Sequence, residues 1–169
     1  MLVIERASRW RTRWTVSDDD GPRGLWKRRR RLGEAMMGEL DGNPFELRAD
    51  GRNFFALVSS GTVLAAAHAD RRNHWTVYVE ESARDLRADD AARVEYELRQ
   101  TSAWHSDLEL RRGGIAVGSI RKRGYREGGA LRSLWYGRPV LCDLPAELSL
   151  AVQTFIGFVV IALRIREQS

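Results

Sequence analysis

The chain predicts a mainly β (α+β) fold, a closed antiparallel barrel of about twelve strands around a buried hydrophobic C-terminal helix. Three observations lead there. The thirteen residues Ala151 to Leu163 (AVQTFIGFVVIAL) are apolar almost all the way round a helix. Val152, Phe155, Ile156, Val159, Val160 and Leu163 line one broad face, and Phe158, Ile161 and Ala162 fill most of the other. Nearly everything before this segment reads as short alternating strands closed by turn residues. At 1.5 Å per residue the run is roughly 20 Å long, whereas a membrane span needs about 20 apolar residues. A flat sheet would cover one side of such a helix and leave two edges bare. A closed barrel surrounds it and has no edges.

The elements follow in order. Trp10, Thr12, Trp14 and Val16 alternate with polar residues as a strand, which the turn-rich stretch Asp18 to Gly24 ends before Leu25 and Trp26 open the next. Asp41-Gly42, between GEAMMGEL and NPFELRA, suits a two-residue type I′ hairpin turn, because Asp and Gly tolerate positive φ. Asn53 to Ser59 and Thr62 to Ala69 flank Ser60-Gly61 as a further hairpin, and Trp75, Val77 and Val79 alternate after it. Glu81 to Ala92 is polar without a clean period and reads as a connection between two halves. Val94, Tyr96 and Leu98 form the next strand, and Asp107 to Arg112 and Ile115 to Arg123 flank a Gly113-Gly114 turn. Arg138 to Asp143 is a last short strand. Pro145 suits a first helical turn, Ser149 is a candidate cap, and Arg164 and Arg166 complement the dipole at the far end. The central helix is thus expected over about 149–164, inside a single domain spanning 1–169.

Glu46-Leu47-Arg48 returns as Glu97-Leu98-Arg99, and Phe55-Ala56-Leu57 with Gly61 returns as Leu108-Glu109-Leu110 with Gly114. The matching hairpins sit 51 to 53 residues apart, which predicts two similar antiparallel halves. Gly157 and Ala65-Ala66-Ala67 are small enough to let helix and wall approach closely.

Bulk properties exclude several classes. Hydrophobic residues make up 43% of the 169, enough for one good core and against disorder. The net charge of +5, carried mostly by Arg, favours solubility and a basic patch with anionic partners. The lone Cys142 excludes an intrachain disulfide or a cysteine cluster for zinc and suits a reducing compartment. The start MLVIERASRW has no secretory pattern, so the expected location is cytoplasmic, peripheral at a membrane if lipid is the partner.

The ordered segments DGNPFELRADG, FALVSSGTVLAAA, HWTVYVEE, DLELRRGGIAVGSI and DLPAELSLAVQTFIGFVVIAL resemble the tubby C-terminal-like superfamily. The similarity is greatest to small bacterial relatives of the LURP-one-related proteins and the phospholipid scramblases. It covers most of the chain and implies a twelve-stranded barrel around a central C-terminal helix. Tubby proteins bind phosphoinositides through basic barrel residues, but no residue-by-residue match to that site is found here. Scramblases commonly carry proline-rich and cysteine-rich N-terminal portions; here the barrel pattern starts at once and Cys142 stands alone, against calcium-driven lipid movement.

No P-loop, dinucleotide-binding glycine pattern, HExxH or GxSxG motif is present, so no enzymatic activity and no cofactor are expected. His68, His74 and His105 suit barrel-wall positions better than a metal site. Asp18-Asp19-Asp20 and Asp89-Asp90 lie in loop-like stretches. The strongest functional candidate is the run Lys27, Arg28, Arg29, Arg30 and Arg31, joined by a second basic segment of Arg121, Lys122, Arg123 and Arg126. Adjacent cations favour solvent and attract phosphate groups. Their readings are a solvated face, an anionic phospholipid surface or, more weakly, nucleic acid, for which no RNA-binding aromatic motif or zinc finger speaks. Trp14 and Trp75 belong to core patterns, Cys142 to a buried small-hydrophobe position, and Trp135-Tyr136 to a candidate exposed aromatic pair for a protein partner. The functional expectation is a non-enzymatic binding module for anionic phospholipid headgroups, the alternative a soluble interaction or scaffold protein.

Overall fold

The computed structural model describes residues 1–7, 13–28, 36–51, 53–71, 74–80, 93–101, 107–122 and 139–167. Twelve strands are found among them: β1 (Leu2–Arg6), β2 (Arg13–Asp18), β3 (Gly21–Arg28), β4 (Met36–Leu40), β5 (Asn43–Asp50) and β6 (Phe54–Ser59), then β7 (Thr62–Arg71), β8 (His74–Glu80), β9 (Arg93–Gln100), β10 (Leu108–Arg112), β11 (Ile115–Lys122) and β12 (Val140–Asp143). Each pairs antiparallel with its neighbours in sequence, and β1 pairs with β12, which closes the barrel. The helix α1 (Leu150–Glu167) follows.

Turn chemistry sets these hairpins. Asp41 (φ 48°) and Gly42 (φ 80°) both adopt the left-handed conformation of a type I′ turn, as do Ser60 and Gly61 between β6 and β7. Pairing in sequence leaves Ile4, Val16, Leu47, Leu57, Leu98 and Leu110 facing inward, each at most 1% exposed.

The strand register shows three equivalent four-stranded units rather than two halves. Within β1–β4, β5–β8 and β9–β12, the first pair sets Ile4 opposite Val16, Leu47 opposite Leu57 and Leu98 opposite Leu110. The second pair of each unit has a two-residue turn and a bulge at one shared place: Val16/Ser17, Leu57/Val58 and Leu110/Arg111. The third pair sets Trp26 opposite Gly38, Ala67 opposite Val77 and Ile120 opposite Cys142. The echo in the sequence links the second unit to the third. The first unit escapes it because Trp26-Gly38 divides the lumen volume differently from Ala67-Val77.

The helix fills this lumen. It packs on β12 and β1 and also on β6 and β7, and β1 and β7 lie on opposite sides of a twelve-strand ring. Wall on both sides is what an all-round apolar helix requires. Phe155, Ile156, Phe158, Val159 and Val160 are fully buried. The Phe158 ring meets Trp14 edge-on at 6.0 Å and tilts against Trp26 at 5.0 Å between centroids. Gly157 lets the helix backbone approach β1 and β12, since a methyl group there would collide with the Ile4 side chain.

At the start of α1 the Ser149 hydroxyl accepts a hydrogen bond from the Val152 amide at 3.3 Å, the cap expected of Ser149. Pro145 lies in the turn before the helix, not in its first turn. The Gln153 side-chain amide reaches back to the carbonyls of Leu148 (2.8 Å) and Pro145 (3.4 Å) and ties that turn down. The helix runs to Glu167, beyond the expected 164, because its last turns continue past the apolar run. No helix among the described residues is long and apolar enough to cross a membrane.

Candidate functional site

Alternating strand direction decides where each basic residue lies. Odd-numbered strands end, and even-numbered strands begin, at one rim of the barrel. Lys27 and Arg28 close β3, and Arg121 and Lys122 close β11, so the described parts of both basic segments share that rim. The strands between them are β2, β1 and β12. At a spacing of about 4.8 Å per strand, the segments stand roughly 19 Å apart along the wall.

The gap is itself basic. Arg13 opens β2 directly opposite Lys27 in the register, and Arg6 closes β1. Among the described residues of these five strands, Glu5 is the one carboxylate toward this rim; Asp18 and Asp143 close β2 and β12 at the other end. Lys27 and Arg121 are exposed and occupy outward positions, each next to a fully buried inward residue, Trp26 and Ile120. Arg13 and Arg6 were not singled out in the sequence. The missing signal was strand parity, which places them only once the strands are counted and paired.

Arg29, Arg30, Arg31, Arg123 and Arg126 lie outside the described residues, as do Trp135, Tyr136, His105 and the 81–92 connection.

The opposite rim has the reverse character. Asp18, Asp19, Asp20, Asp41, Glu80 and Asp143 gather at the ends of even strands and in the turns after them, with Arg112 at the end of β10. Arg23, the bulge residue of β3, organises part of this group. Its guanidinium donates to Asp18 at 2.7 Å and to Asp20 at 3.5 Å and lies 3.6 Å from Asp41. The hydrogen bond from Arg23 holds the Asp18 carboxyl below its ordinary range, and the same bond raises Arg23. On β5, Arg48 donates twice to Glu46, at 3.0 and 2.9 Å, so this cation is already paired.

The histidines expected on the wall are there where described. His74 opens β8 with Nε2 3.7 Å from Glu97, and His68 is exposed on β7 opposite Thr76. No group of three His, Cys, Asp or Glu side chains suited to a metal ion occurs among the described residues. Trp14 (7% exposed) and Trp75 (5%) are core residues, and Cys142 is buried against α1.

A shallow groove of about 620 Å³ lies on the outer wall of β2–β5, reaching from Pro22 near the acidic rim to Lys27 near the basic one. The lumen, by contrast, is occupied by α1 and the inward side chains. The site is therefore a surface: a basic arc of one rim, from β3 through β1 to β11, with a groove descending from it; Asp50 at the end of β5 and Asp107 before β10 lie on the rest of that rim. Compared with known protein families, with curated proteins and with solved structures, the chain matches none.

Proposed function

We propose that this protein is a non-enzymatic binding module whose basic rim engages anionic phospholipid headgroups at a membrane surface. The observation that carries the reading is convergence: the described parts of two basic segments distant in sequence, Lys27-Arg28 and Arg121-Lys122, end at one rim, and Arg6 and Arg13 lie on the strands between them. A cation near an anionic bilayer contributes about 1 kcal/mol, and several act together only if they face one way. Arg13 and Lys27 stand side by side at outward positions of that rim, and Arg121 takes an outward position four strands away. The resemblance to the tubby C-terminal-like superfamily, whose tubby members bind phosphoinositides, points in the same direction. Side chains occupy the lumen, so a ligand would meet the rim or the outer wall.

Sedimentation with phosphatidylcholine vesicles, with and without a phosphoinositide, tests this at low and physiological salt. Binding to the charged vesicles alone, weakening with salt, is expected. Neutralising Lys27 and Arg121 together to Gln removes about 2 kcal/mol, or about 30-fold in affinity. Equal absence of binding to both vesicle types overturns the reading. A pull-down that retains a protein partner at high salt, with no vesicle binding, favours the scaffold alternative instead.

A further inference from the structure

We infer that the groove on the β2–β5 wall binds the hydrocarbon chain of a free single-chain anionic amphiphile, such as a fatty acid or alkyl phosphate, with its headgroup at Lys27. The inference rests on the proposal that the basic rim receives anionic lipid groups, and extends it to what lies beside the head.

Four apolar side chains, Pro22, Leu25, Met37 and Pro44, line the groove beside Thr15, Arg23, Lys27 and Glu39. Leu25 and Met37, 37% and 46% exposed, stand on adjacent strands, and Pro22 and Pro44 continue the strip toward the other rim.

The chemistry of the walls selects hydrocarbon over peptide. The backbone of β3 and β4 at Leu25–Glu39 and Lys27–Met37 belongs to the sheet ladder, and a closed barrel offers no edge for strand addition. Pro22 and Pro44 have no amide hydrogen to give. Arg23 is committed to Asp18, Asp20 and Asp41, and the Thr15 hydroxyl donates to the Glu5 carbonyl at 3.5 Å. What remains along the groove is apolar contact with Pro22, Leu25, Met37 and Pro44, and two charged groups, Glu39 and Lys27.

Charge then fixes the orientation. Glu39 lies opposite Leu25 in mid-groove and repels an anionic head placed there. Lys27, with Arg13 opposite it, attracts that head to the basic rim. From Pro22 to Lys27 the strand covers roughly 17 Å at about 3.3 Å per residue, a span suited to an extended alkyl chain of medium length. The groove, of about 620 Å³, lies open to solvent along the wall. The concave shape fits a single chain better than a flat bilayer face.

Titration calorimetry with dodecyl phosphate below its micelle concentration is the test, beside inorganic phosphate and dodecyl maltoside. Saturable one-to-one binding of dodecyl phosphate is expected, at least tenfold tighter than either control. Met37→Glu and Leu25→Glu, at exposed wall positions, should each weaken it at least tenfold while circular dichroism stays that of the parent. Vesicle sedimentation of the same variants separates the two proposals. Amphiphile binding without vesicle binding leaves the groove standing and removes the rim reading, and vesicle binding without amphiphile binding does the reverse. Absent or non-saturable binding, equal affinity for either control, or full affinity in both groove variants overturns the inference.

Discussion

Gly38→Ala and Trp26→Ala, made singly and together, probe how the barrel encloses its core. Trp26 on β3 lies opposite Gly38 on β4, and its indole is fully buried. A methyl group added at Gly38 would overlap three atoms of that indole, Cγ, Cδ2 and Cε2. The ring cannot retreat, because Phe158 of the central helix packs 5.0 Å away on it. Overpacking of this kind costs about 1–3 kcal/mol, while Gly to Ala in a strand otherwise returns about 0.5–1 kcal/mol. Trp26→Ala alone costs about 3–5 kcal/mol. With the indole gone, the same Gly38→Ala change loses its obstacle and becomes neutral or favourable. The second unit already holds this solution, with Ala67 opposite Val77. The cycle should therefore show a favourable coupling of about 2 kcal/mol, measured as urea midpoints followed by far-UV circular dichroism. Additive single effects, within about 0.5 kcal/mol, would refute the packing described for this pair.

Four other substitutions test the enclosed helix, its aromatic contacts and the Arg23 ion pairs. Phe155→Asp or Val159→Asp places an unpaired carboxylate in a dry core and should abolish cooperative unfolding, while a urea melt like the parent's would contradict an enclosed helix. Phe158→Ala should lower stability by about 3–5 kcal/mol in the same melts, since the ring contacts both Trp14 and Trp26. Arg23→Gln removes the partner that depresses Asp18. A depressed carboxyl stabilises the native state above its ordinary pKa and loses that effect as pH falls through the lowered native value. The gap in urea midpoint between parent and Arg23→Gln should then be full at pH 7 and close as pH drops below about 4; a constant gap would sink the assignment.

The barrel and its helix were legible because each rests on a local signal. The all-round apolar run from Ala151 to Leu163 has one stable setting, and Asp41-Gly42, Ser60-Gly61 and Gly113-Gly114 announce hairpins by their tolerance for positive φ. The three-unit plan was hidden because equivalent lumen positions hold different residues: Trp14, Phe55 and Leu108, or Met36, Trp75 and Val140. Their volumes compensate around the ring, and only register reveals the equivalence. Pro145 misled for a related reason. Its fixed φ suits either a first helical turn or the turn before it, and the Gln153 amide at its carbonyl settles the choice. In the candidate site, the basic runs are plain in the sequence, but that Lys27-Arg28 and Arg121-Lys122 share one rim follows from strand parity. The groove joins Pro22, Leu25, Met37 and Pro44 from three strands, so no linear pattern announces it.

The most direct test of the account compares two rims at equal net charge. Lys27→Glu with Arg121→Glu reverses two cations at the basic rim; a matched protein carries one reversal at Arg112 and a second charge-equivalent change, Arg23→Glu, toward the other rim. Both proteins lose the same charge, so nonspecific attraction falls equally in both. Sedimentation with phosphoinositide-containing vesicles at physiological salt, on variants shown by circular dichroism to be folded, should find binding lost in the first and kept within a few-fold of the parent in the second. Equal loss in the two would show that net charge alone governs binding, and would contradict a lipid-facing rim.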